Sequence, residues 1–107
     1  MFIQLERYVE NMNLRKFNAS YEYMIPNCKV TYKKLRDLII RIGKIIDENE
    51  EQQIYVFTIQ SGKLGNEAVV VLGMQEQDVY MRAFAKEGLI KQHTCERALD
   101  RVSEVLG

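Results

Sequence analysis

Residues 54–72, IYVFTIQSGKLGNEAVVVL, decide the fold of this 107-residue chain. The two ends of the stretch, IYVFTI and AVVVL, are rich in β-branched and aromatic residues, which favour strands. The connection over residues 61–66 contains two glycines and an asparagine, which tolerate positive φ in a turn. The stretch therefore predicts a β-hairpin. Because both strands are apolar on both faces, we expect the hairpin at the centre of a sheet that helices or another subunit cover.

Three segments outside the hairpin carry apolar residues at helical spacing. Residues 2–12 predict a short amphipathic helix. A second helix is predicted to follow an N-cap at Thr31 and to end near Ile46, because the acidic run after it would place negative charge at the negative end of the helix dipole. Gly43 lowers the helix propensity of this segment and is expected to mark a close contact. The third helix is predicted to start from a cap at Thr94 and to run to the end of the chain.

Two further segments alternate with a period of two, which is typical of strands. Residues 17–25 place Phe17, Tyr21, Tyr23 and further apolar residues on one face, which predicts a half-buried strand. Residues 79–86, VYMRAFAK, fit either a strand that extends the hairpin or a helix capped by Asp78, and we favour the strand.

The predicted fold is a single α+β domain over residues 1–107, with element order α-β-α-β-β-β-α. An antiparallel sheet of three or four strands is expected to pack against two or three helices, because each helix has one apolar stripe to bury. The chain length suits one hydrophobic core.

The composition excludes several classes of protein. The chain is 47% hydrophobic and 28% charged, too apolar for disorder, and it has no apolar run long enough to span a bilayer. Its fifteen basic and fifteen acidic residues argue against bulk attraction to nucleic acid or membrane. Residues 1–14 carry no secretory signal, so we expect a cytoplasmic protein in which Cys28 and Cys95 stay reduced.

No set of residues predicts catalysis, a metal or a cofactor. His93 and Cys95, two positions apart, point away from each other on a helix and cannot form a nucleophile–base pair there. The acidic residues 47–51 lack the glycine and terminal glutamate of a calcium loop, and the glycine-containing turn at 62–65 precedes a strand, unlike a phosphate-binding loop. We therefore expect a protein that is not an enzyme.

The segment AKEGLIKQHTCERAL, residues 85–99, resembles the helix-turn-helix of bacterial repressors. It has a small residue early, then a turn, an apolar residue and a threonine that opens a second helix, although Gly88 precedes the slot that a turn glycine normally occupies. The resemblance implies DNA contacts from the start of a recognition helix and requires residues 79–87 to be helical. The DNA-contacting residues it implies are Lys91, Gln92, His93 and Arg97.

A basic cluster in the second predicted helix is the other candidate site, as a face that binds a partner or as an ordinary solvated face. Its candidate partner-binding residues are Lys33, Lys34, Arg41 and Lys44. Charge is unevenly distributed along the chain: residues 1–46 hold nine basic and four acidic groups, and residues 47–78 hold one and seven. Such a dipolar surface suits oriented docking.

Three functions remain open at this point. The first, which we favour, is a non-enzymatic protein-interaction or regulatory module, a homodimer or a chain with an obligate protein partner, because three short helices are not expected to cover two apolar sheet faces. The second is a DNA-binding transcriptional regulator that uses the helix-turn-helix. The third is a domain that binds a small molecule near Tyr21, Tyr23, Tyr55 and Thr58.

Overall fold

A computed structural model of the chain describes residues 1–61, 66–88 and 92–106. The helices are α1 (Phe2–Asn11), α2 (Tyr32–Ile39) and α3 (Thr94–Leu106), with a 3₁₀ helix at Leu14–Lys16. The strands are β1 (Ala19–Ile25), β2 (Lys44–Asn49), β3 (Ile54–Ser61), β4 (Asn66–Gln75) and β5 (Asp78–Ala85). In the described residues no helix is both long enough and apolar enough to cross a membrane.

The five strands form one antiparallel sheet in the order β1-β5-β4-β3-β2. The predicted α+β class is confirmed, with five strands in the sheet instead of three or four. The hairpin is confirmed as β3 and β4, which pair from Ile54 opposite Gly73 to Ser61 opposite Asn66. Its predicted turn lies largely outside the described residues. Strand β4 is the central strand, and β1 and β2 are the two edges.

The fifth strand arises where the predicted second helix is wrong. Thr31 caps α2 as expected, since its hydroxyl oxygen accepts a hydrogen bond from the Lys34 backbone N–H at 3.1 Å. The helix ends at Ile39, however, and residues 44–49 form β2. Gly43 lies at the join, where a Cβ atom would stand 2.3 Å from the Thr58 carbonyl oxygen. The apolar residues 42, 45 and 46 fit a helix or a strand equally well, and the free edge of β3 selects the strand.

The sheet is covered on both faces within one chain. One face packs against α2 and α3, and its core includes Tyr55, Phe57, Leu72 and Met81. The other face packs against α1, and its smaller core includes Leu5, Val9, Ile54, Val56 and Val71. The apolar faces of the sheet therefore do not require a second subunit to cover them, because the centres of β3, β4 and β5 are buried without one.

Residues 78–85 form strand β5, which confirms the favoured alternative and contradicts the helix-turn-helix. The first helix of that motif does not exist, because the segment pairs with β4 on one side and with β1 on the other. Its side chains alternate between the two buried faces of the sheet, a burial that only a strand at this position achieves.

The beginning of α3 is held by a side chain from outside the helix. The carboxylate of Glu87 accepts hydrogen bonds from the backbone N–H groups of Gln92, at 3.0 Å, and Thr94, at 2.8 Å. These bonds lower the pKa of Glu87 below its ordinary value, since they stabilise the charged form. The helix begins at Thr94, so Glu87 takes over part of the capping that the sequence assigned to this threonine.

Candidate functional site

The predicted basic cluster is divided among different parts of the fold. Lys33 and Lys34 are exposed on α2, and Arg41 is exposed in the segment that follows the helix. Lys44 begins β2 and lies opposite Thr58, on the face of the sheet that α1 covers, whereas α2 packs on the other face. The four residues therefore do not form one patch, and their role in binding a partner stays a prediction.

The predicted DNA-contacting residues lie around the start of α3. Gln92 is half-buried, and its backbone N–H is bound to Glu87. His93 is exposed and places Nδ1 2.8 Å from the Glu96 carboxylate, and Arg97 is exposed on the helix. Lys91 lies outside the described residues. Without a preceding helix to set α3 across a DNA backbone, these residues lose the geometry that the resemblance implied.

The thiols of Cys28 and Cys95 are free, in line with the expectation that they do not form a disulfide, and both are buried. Burial raises the pKa of Cys95 to about 12 and also raises the pKa of Cys28. The Cys95 Sγ lies 3.6 Å from the carbonyl oxygen of Ala19 and contributes to the contact between α3 and β1. A thiol that stays protonated at neutral pH is a poor nucleophile. Among the described residues, no group of three or more histidine, cysteine or acidic side chains could hold a metal ion.

The four residues considered for a small-molecule site do not converge. Tyr21 and Tyr23 lie on β1 and Tyr55 lies on β3, three inter-strand spacings away at about 4.8 Å each. Thr58 faces the opposite side of the sheet from Tyr55. The Tyr55 hydroxyl donates to the Tyr32 carbonyl oxygen at 2.6 Å and the two rings stack at 4.1 Å, so Tyr55 is a core residue.

Strand β1 is the most exposed apolar element among the described residues. Five consecutive residues, from Ser20 to Met24, are exposed on both faces of the strand. Tyr21 is 43% and Tyr23 46% exposed on the side of the sheet that α3 covers, and Met24 is 40% exposed on the side of α1. Only one edge of β1 is paired, with β5. Its other edge carries backbone N–H and C=O groups that no described strand satisfies.

A groove of about 430 Å³ runs beside β1 on the α1 side. Ile3, which is 88% exposed, lines it together with Phe2 from the same helix. Its polar wall is a row of ion pairs that joins α1 to the sheet. In that row Glu6 contacts both Arg15 and Arg82, and the Arg82 Nε lies 3.1 Å from Glu22 Oε1 on β1. The charge of Glu22, the only ionisable side chain of β1 besides the two tyrosines, is thereby partly balanced within the chain.

The sequence of β1 also indicates an edge strand that is open to pairing, a feature that the prediction of a half-buried strand left out. Residues 19–25, ASYEYMI, contain no lysine and no proline, the residues that most often protect an exposed edge strand. The alternation identified the strand correctly but not its position in the sheet, and the position decides whether Tyr21 and Tyr23 are buried.

Comparison with known proteins adds no further information, since no family model, no curated protein and no solved structure matches the chain.

Proposed function

We propose that this chain is a non-enzymatic protein-interaction module that binds an extended protein segment along the free edge of β1. One observation carries the proposal. Four of the six large hydrophobic side chains that are exposed in the described residues flank this edge: Ile3, Tyr21, Tyr23 and Met24. A free strand edge with apolar side chains on both sides offers what strand addition needs.

The two parts of such a site act differently. Backbone hydrogen bonds from β1 give affinity for any extended segment, while the side chains beside the strand select its sequence. Tyr21 and Tyr23 offer amphipathic rings on one side, a residue type that is enriched in protein interfaces. Ile3 and Met24 offer an aliphatic surface on the other side. The segment bound here is expected to carry apolar residues at alternate positions, on the face of the sheet that presents Tyr21 and Tyr23.

A cytoplasmic location is part of the proposal. The free thiols of Cys28 and Cys95 support it, because a reducing compartment keeps such thiols from pairing with other cysteines. A transcriptional regulator is not retained as an alternative, since β5 occupies the segment that the first helix of the motif required.

Selection from a library of random linear peptides displayed on phage tests the proposal. We expect the chain to select peptides with alternating apolar residues, and their binding to shift the backbone amide resonances of β1 more than those of other strands. The double variant Tyr21→Lys/Tyr23→Lys is expected to lose these peptides. Ile46→Lys, which changes an exposed residue of the opposite edge, is the matched control and is expected to keep them.

Peptides whose binding shifts amides of β2 or of the α2 basic residues and leaves β1 unchanged would contradict the proposed function. So would a selection from which no peptide depends on Tyr21 and Tyr23.

A further inference from the structure

We infer that the segment that binds β1 is β1 of a second copy of the chain, so that two five-stranded sheets join into one of ten strands. This inference rests on the proposed function and names its partner. The two copies are related by a two-fold axis perpendicular to the sheet, so their β1 strands run antiparallel. A dimer with two-fold symmetry is the most common closed assembly among soluble oligomers.

Symmetry limits the possible registers of such a pair. In antiparallel strands, two residues that lie opposite each other point to the same face of the sheet. In a symmetric pair this is possible only if one residue of β1 lies directly opposite the same residue of the other copy. The two-fold axis passes between these two residues, and we call that residue the centre of the register. An overlap of five or more residues of β1 (Ala19–Ile25) leaves three possible centres, which are Tyr21, Glu22 and Tyr23.

The charge of Glu22 selects among the three registers. A centre at Glu22 sets two carboxylates directly opposite each other, which is destabilising. A centre at Tyr23 sets each Glu22 against the apolar Met24 of the other copy. A centre at Tyr21 sets each Glu22 against Ser20, whose hydroxyl donates a hydrogen bond to a carboxylate. It also opposes Tyr23 to the small Ala19, so the side chains of the two copies are complementary in polarity and in size.

The second edge of the sheet explains why the assembly stops at two copies. Strand β2 has a bulge between Ile45 and Asp47, and its exposed residues include Lys44, Asp47 and Glu48. Bulges and charges of this kind prevent a strand from pairing with another edge. Because only β1 is available, pairing through it closes a dimer and does not continue into a fibre.

The contacts of the joined edge extend beyond the backbone. On the α3 side, the two Tyr21 rings meet at the axis and each Tyr23 lies beside the other copy's strand. On the α1 side, the grooves lined by Ile3 and Phe2 face each other across the axis. Of the exposed apolar side chains that carry the proposed function, Tyr21 and Tyr23 thereby lie within the paired residues 19–23 of the joined sheet.

Two charge variants at one exposed position test both the partner and the register. Sedimentation equilibrium of the unchanged chain is expected to give a dimer of twice 12.6 kDa at concentrations on the order of 100 µM. Ser20→Glu places like charges opposite Glu22 at two symmetric sites, so we expect the dissociation constant to rise about three- to tenfold. Ser20→Lys places opposite charges there, so we expect the constant to stay or to fall. The two variants place charges of opposite sign at the same exposed position.

A mixture of isotope-labelled and unlabelled chains gives the register directly. In the Tyr21-centred register, the numbers of two opposed residues sum to 42. We therefore expect backbone contacts between residue 20 of one copy and residue 22 of the other, and between residue 19 of one copy and residue 23 of the other. Contacts that sum to 44 or 46 would overturn the Tyr21-centred register, and so would equal effects of Ser20→Glu and Ser20→Lys. A chain that stays monomeric at all these concentrations would overturn the second copy as partner. The peptide selection would still decide the proposed function, because it does not depend on self-association.

Discussion

The two edge strands of the sheet, β1 and β2, differ in how far they are protected against pairing with a strand of another chain. Strand β2 is six residues long, bulged between Ile45 and Asp47, and rich in charge. Its Glu48 accepts a hydrogen bond from Arg36 of α2 at 2.8 Å, which ties the edge to the helix beside it. Strand β1 is seven residues long, regular in its pairing with β5, and carries one charged residue, Glu22.

The difference indicates which edge remains available to another chain. An exposed edge strand without protection is a liability for aggregation, so a sequence that protects β2 and leaves β1 open is consistent with a use for β1. Exposure alone does not make this distinction, because β2 also exposes Ile46 and the adjoining segment exposes Ile40. The two edges are distinguished by the bulge and the charged residues of β2, which β1 lacks apart from Glu22.

The largest expected effect is on the dimer dissociation constant, when charged residues that disfavour edge pairing are placed on β1. The double variant Tyr21→Lys/Tyr23→Lys places four lysines at the joined edge of a dimer. We expect the dissociation constant measured by sedimentation to rise by about 100-fold or more, about 3 kcal/mol of binding free energy. Ile46→Lys is expected to leave it unchanged. Equal effects of the two variants would remove the distinction between the edges.

The next effect concerns how β2 is attached. Gly43→Ala sets a Cβ atom against the Thr58 carbonyl oxygen, and the backbone of β2 or β3 must move to make room for it. We expect the free energy of unfolding, measured in urea, to fall by about 1 to 3 kcal/mol. Gly88→Ala is the matched control, because a Cβ there meets no atom within 4 Å. A loss at Gly88 as large as that at Gly43 would contradict the close approach.

A smaller effect is expected at Glu87, which holds the start of α3 close to the beginning of β1. Its pKa is lowered in the folded chain, so its contribution to stability is present above the ordinary pKa and is lost as the pH falls through the folded value. We expect Glu87→Gln to lower the free energy of unfolding by about 1 kcal/mol at pH 7.

The pH dependence of the free energy of unfolding tests whether Glu87 stabilises the chain through its charged carboxylate. The difference between Glu87→Gln and the unchanged chain is expected to shrink as the pH is lowered below the ordinary range of a glutamate. Glu104→Gln, on the exposed face of α3, serves as control. A difference that is constant with pH would show that the hydrogen bonds from Gln92 and Thr94 do not depend on the carboxylate charge.

The smallest expected effect concerns the ion pair of β2. Arg36 and Glu48 are both exposed, so solvent screens the pair and Arg36→Gln is expected to lower the free energy of unfolding only slightly, in thermal or urea unfolding. It is expected to leave the dimer dissociation constant unchanged. A weaker dimer in this variant would place part of the interface at β2.

The sequence predicted a strand correctly where its pattern fits no other element, or where a neighbouring element decides between a strand and a helix. The stretch over 54–72 is too rich in β-branched residues for any element but strands, and the alternation in 79–86 fitted the hairpin next to it. Residues 42–46 were misjudged because IGKII satisfies a helical stripe and a strand equally, and the decision depends on the unpaired edge of β3, which is a tertiary property. The exposure of Tyr21 and Tyr23 was missed for the same reason, since a strand's own pattern does not tell an edge from a centre.

Hydrogen exchange at the two edges tests the central claim most directly. Alternate backbone amides of each edge strand point away from the sheet and exchange rapidly when they are free. Between about 1 µM and about 500 µM chain, the outward amides of β1 within residues 19–23 are expected to become protected, while those of β2 (Lys44–Asn49) are expected to exchange at an unchanged rate. Protection of β2, or exchange of β1 that does not depend on concentration, would contradict self-association through the β1 edge.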